Sequence, residues 1–117
     1  MLTLRPEQLQ KFSDAAVKRF EDGMVVHLKK FFPEECAALG EVKLRQLIQH
    51  GIVRARLYGV TGRRDVCNYI DIMLVFGANF DIDPNLPWAR QLLTNARVTD
   101  PSARMRRLYA VAMDQQD

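Results

Sequence analysis

The sequence predicts an all-α fold: a compact single domain, residues 1–117, of five to seven helices around a central apolar helix at about 62–77. Three observations predict it. Apolar residues recur every three or four positions through most of the chain, the spacing of one helix face. No stretch alternates apolar and polar residues long enough to make a half-buried strand. The densest apolar segment, RRDVCNYIDIMLVF from Arg63, places Val66, Tyr69, Ile70, Met73 and Leu74 on one face and Ile72, Val75 and Phe76 off it. A helix apolar nearly all round is buried on several sides, so its neighbours pack against it.

The first helix has a cap in Thr3 and first-turn residues Pro6 and Glu7. Its inward face reads Leu9, Phe12, Ala16, Phe20, Met24, Leu28 and Phe31. Gly23 falls in this helix, where glycine is unfavourable, and predicts either a bend or the close approach of another backbone. Pro33 ends the helix and opens a short one, PEECAAL, closed by Gly40. The next helix, Glu41 to Tyr58, buries Leu44, Leu47, Ile48, Ile52 and Ala55, with Gly51 on the same side, and Gly59 stops it. Thr61 is the expected N-cap of the central helix, Asp65 lies in its first turns, and Gly77 ends it. Asp81, Asp83, Pro84, Asn85 and Pro87 are turn formers around Phe80 and Trp88. Leu86 to Asn95 reads as a short helix with Trp88, Leu92 and Leu93 inward. Asp100 followed by Pro101 starts a last helix, to about Met113, with Met105, Leu108, Tyr109 and Ala112 inward.

A chain of 117 residues is long enough for one domain that buries roughly two-thirds of its unfolded surface. Apolar content of 48% and charged content of 26% are ordinary for a soluble globular protein and argue against disorder. The longest apolar run, Ile72 to Phe76, is too short to span a bilayer, and the N-terminus lacks the basic-then-apolar pattern of a signal segment. The expected location is the cytoplasm, in keeping with two cysteines, Cys36 and Cys67, that form no disulfide framework. The net charge of +3 sits mainly in Arg90, Arg97, Arg104, Arg106 and Arg107, which read as a solvated helix face before they read as a nucleic-acid contact.

No catalytic constellation, metal or cofactor is nominated. Asp81, Asp83 and Asn85 open with the spacing of a calcium loop, but Leu86 stands where the sharp turn needs glycine and Leu92 where the ion needs glutamate. Turn chemistry accounts for them. His27, Cys36, His50 and Cys67 are zinc-type donors with no zinc-type spacing, and nothing in the sequence places either thiol beside an imidazole. The segment ARLYGVTGRRDVCNYI, Ala55 to Ile70, is similar to a DNA-binding helix-turn-helix, which makes nucleic-acid binding through residues 55–70 and the basic face the alternative function. There Asp65 occupies the position at which that class packs an apolar residue, and Val66 follows it. A one-residue slip turns a helix by about 100°.

The run RDVCNYIDIMLVFGANFDIDPNLPWARQLL, with the opening MLTLRPEQLQ and the pair GI and YGVT, resembles small helical proteins encoded in bacterial type VI secretion effector gene clusters. The resemblance covers roughly Leu2 to Leu93, and its distinctive parts are YI-x-x-M-x-x-FG and FD-x-DP-x-x-PWA. It implies a cytoplasmic adaptor or co-chaperone whose partner is a secreted effector or its adaptor chaperone, with no catalytic residues. Interfaces favour aromatic and arginine anchors, so Arg63, Arg64, Phe80, Trp88 and Arg90 are the candidate partner-binding residues.

Overall fold

Helix-stopping residues divide the chain as its spacing predicts. The computed structural model describes the backbone of residues 6–115 and the side chains of residues 15–115. The expected cap at Thr3 and the inward placement of Leu9 and Phe12 lie outside the described residues. Six α-helices and one 3₁₀ turn follow one another among them, and every regular element is helical. They are α1 (Pro6–Phe31), α2 (Pro33–Leu39), α3 (Glu41–Leu57), α4 (Arg63–Phe76), the 3₁₀ turn Phe80–Ile82, α5 (Pro87–Leu93) and α6 (Pro101–Gln115). No helix among the described residues is long and apolar enough to cross a membrane.

Helix α4 is the centre, with α1, α3 and α6 packed on it, while α5 joins α6 to the 3₁₀ turn. Val66, Tyr69, Ile70, Ile72 and Met73 are all buried, on more than one side of the helix. Each such side chain contributes about 1.5–3 kcal/mol relative to leaving it exposed. The close fit of α3 to α4 depends on Gly51. A methyl group there would stand 2.6 Å from Ile70 Cγ1 and 2.8 Å from Met73 Sδ. Helix α3 ends at Gly59 with φ +77°, where the Val60 amide bonds back to the Ala55 carbonyl at 2.9 Å and Val60 drops into the core.

Several local expectations need correction. Thr61 does not cap α4: the N-cap position is Gly62, in extended conformation and without a side-chain hydrogen bond. Of the two expectations for Gly23, the close approach of another backbone is not met, since nothing among the described residues lies within 4 Å of where its Cβ would be. Ala16 and Phe31 are exposed rather than inward. The Phe31 ring lies against its own helix instead, 5.0 Å from the His27 ring and under the Lys30 ammonium. Asp100 does cap α6, accepting the Ser102 amide at 3.1 Å, and the Ser102 hydroxyl donates to Asp65 on α4.

Candidate functional site

Two stripes of side chains meet where α1 crosses α4. On α1, Arg19, Phe20, Met24 and His27 follow one another at helical spacing, and on α4 Arg63, Cys67 and Asp71 each stand one turn apart. Between the stripes is a cavity of about 280 Å³ lined by Arg19, Phe20, Met24, His27, Arg63 and Cys67, with Gly23 in its wall. Most of that lining is apolar. The two arginines are its permanent charges, and among the described residues neither forms an ion pair.

His27 Nε2 lies 3.1 Å from Oδ1 and 3.3 Å from Oδ2 of Asp71, and Asp71 is only 5% exposed. Burial raises the Asp71 carboxyl above its ordinary value, an effect that His27 opposes without cancelling. Cys67 stands beside them. One donor atom each from His27, Cys67 and Asp71 fit within 4.8 Å of one another. Burial, aided by the Asp71 charge, pushes the Cys67 thiol up to about 11, so it is a neutral thiol at physiological pH and a poor nucleophile. Tyr109 of α6 borders the same group, its phenol raised by burial and then by Asp71 and Cys67. The structure thus brings one thiol, Cys67, near an imidazole, a proximity that nothing in the sequence indicated. Cys36 is buried on α2 and His50 exposed on α3, so the donors that do meet include a carboxylate absent from the set His27, Cys36, His50 and Cys67.

A second buried carboxylate has a different setting. Asp81 is fully buried in the 3₁₀ turn; its Oδ2 accepts hydrogen bonds from Arg54 Nη2 and, at 2.6 Å, from the Tyr58 hydroxyl. Its reading as a turn former is corrected, because the turn-forming bond in this loop is made by Asp83, whose Oδ1 accepts the Asn85 amide at 2.9 Å. Burial and the bond to Asp81 push Tyr58 up to about 12. Tyr69 closes the cluster, its ring 4.9 Å from Phe80 and 6.4 Å from Tyr58. Three polar atoms there, Arg54 Nε, Tyr69 Oη and Asp81 Oδ1, have no hydrogen-bond partner among the described residues.

The five residues expected to bind a partner do not form one surface. Phe80 is 1% exposed and packs on Tyr69, so a partner cannot reach it. Trp88 is half-buried, edge-on to Phe76 at 5.5 Å. Arg63 lines the cleft between α1 and α4, Arg64 lines a separate depression with Arg106 and Tyr109, and Arg90 borders a third hollow with Pro84 and Pro87. Arg63 and Arg64 are also the only exposed residues of α4, which leaves that helix without the open face a groove-reading helix presents. Sequence reasoning missed Asp71. The Cys67 and Asp71 spacing was visible, but His27 is 44 residues away from Asp71 and only the α1–α4 packing joins them.

Comparison with protein-family models, with curated proteins and with solved structures gives no match.

Proposed function

We propose that this chain is a non-enzymatic protein-binding module of the bacterial cytoplasm, an adaptor or co-chaperone for a type VI secretion effector or for its chaperone. The association with that system rests on the sequence resemblance alone. The binding reading rests on the cleft between α1 and α4. Its lining combines Phe20 and Met24, which suit an apolar anchor, with Arg19 and Arg63, which suit carboxylates beside that anchor. The fitting partner is a segment carrying an apolar side chain flanked by acidic residues. Burial of α4 favours this over the nucleic-acid alternative, which would need that helix in a groove.

Two substitutions test the cleft without touching the core. Gly23→Leu places a side chain into open space in the cleft wall and improves helix propensity, while Arg63→Glu reverses an exposed charge. The expected result is that the tagged wild type retains one stoichiometric protein from nuclease-treated lysate at moderate salt, with cross-links to α1 and α4, and that both variants lose it. Undiminished retention by both variants would remove the cleft from the interface. A nucleic-acid signal that weakens by orders of magnitude as salt rises, with no protein retained, would replace this reading with the alternative.

A further inference from the structure

We propose that His27, Cys67 and Asp71 form a zinc(II) site with three protein ligands, its fourth position taken by water from the cleft. This inference stands independently of the docking reading.

The donor set is the first support. Thiolate, imidazole and carboxylate are the three ligand types zinc takes, and a site containing a thiolate discriminates against calcium and magnesium, which require oxygen. Geometry is the second. Cys67 and Asp71 are four residues apart on α4 and so share one face, and α1 brings His27 onto that face from the opposite side. Zinc–ligand bonds of about 2.0–2.3 Å place tetrahedral donors roughly 3.5 Å apart. The donors here lie within 4.8 Å, with His27 Nε2 already 3.1 Å from Asp71 Oδ1. The widest donor pair need approach by only about an ångström to reach that spacing. The third support is the cavity itself, which gives solvent and ion a route to Cys67 and His27 and leaves a coordination position open.

Charge and proton balance are consistent with this assignment. The two cations of the lining, Arg19 and Arg63, disfavour a free dication, but the ionised Asp71 carboxylate and the thiolate formed on binding neutralise it. Tyr109 faces the group from α6 as a neutral phenol. Zinc binds the lone pair of His27 Nε2 in the neutral imidazole, whose proton then sits on Nδ1. As the zinc–sulfur bond forms, the Cys67 S–H bond breaks and its proton passes to solvent. Binding therefore releases protons and strengthens as pH rises.

Cobalt(II) substitution reads the site directly in the intact chain. The expected spectrum has intense tetrahedral d–d bands and a near-ultraviolet thiolate-to-cobalt band, both displaced by zinc. Cys67→Ser should abolish the thiolate band and His27→Ala should weaken binding at least about tenfold, while Cys36→Ser should leave the spectrum unchanged. A weak octahedral spectrum without a thiolate band in the wild type, which requires no variant to fold, would overturn the proposal. So would a thiolate band that survives Cys67→Ser and disappears in Cys36→Ser.

Discussion

Asp71 and Asp81 are both buried carboxylates near the same central helix, yet their partners give them different roles. Asp81 receives a guanidinium from α3 and a phenol from the end of that helix, both on one oxygen. Asp71 receives one imidazole, beside a neutral thiol and a cavity. Removing a carboxylate from water is costly, and a permanent cation at hydrogen-bond distance offsets that cost more completely than a titratable ring does. Asp81 is therefore a strut tying the 3₁₀ turn to α3. Asp71 has only a titratable partner and stands beside a cleft that a ligand can enter.

The difference is largest when the permanent cation is removed. Arg54→Ala strands Asp81 in the interior, and breaking one side of such a pair costs about 3–5 kcal/mol. In a domain of this size the melting temperature should fall by more than roughly 10 °C. Urea or thermal unfolding measures it, and a loss below about 1 kcal/mol would mean that Asp81 is not held as a charged strut. Tyr58→Phe is the milder cut, since Arg54 stays in place. It removes one hydrogen bond to the carboxylate and should cost about 1.5 kcal/mol. A variant as stable as wild type would assign the whole of the strut to Arg54.

The two carboxylates also mark the boundary of what the sequence discloses. Helix ends were legible because their signals are local: Pro33, Gly59, Gly77 and the Asp100–Pro101 pair each act on the backbone within a few residues. The burial of α4 was legible because a helix apolar on several sides has few other places to go. Asp81 was misread because its neighbours in sequence are turn formers, whereas its partner Arg54 is 27 residues upstream. Phe31 was misplaced because periodicity gives a face but not the length over which a neighbouring helix covers it. The cleft combines both limits. Its arginine at position 63 could be picked out from the sequence, but the residues opposite come from α1, and only tertiary packing brings the stripes together.

The smallest expected effect is the one that separates the two carboxylates by pH. In Asp71→Asn the side chain keeps its size, and the lost bond to His27, worth about 1.5 kcal/mol, is offset by removal of a buried charge. Stability at neutral pH should therefore change by less than about 1 kcal/mol in the metal-free chain. The sign of the pH dependence follows from the raised carboxyl of Asp71. The folded state holds that proton more tightly than the unfolded chain, so over the window beginning at the ordinary value of 3.8 the native state binds more protons. Wild-type stability is thus favoured below that value and declines, relative to Asp71→Asn, as pH rises through the folded pKa. Paired urea titrations from about pH 3 to pH 7 with chelator present measure the difference between the two chains, which cancels titrations they share. If the two curves run parallel, His27 compensates Asp71 as fully as Arg54 compensates Asp81, and the contrast between strut and open site is lost.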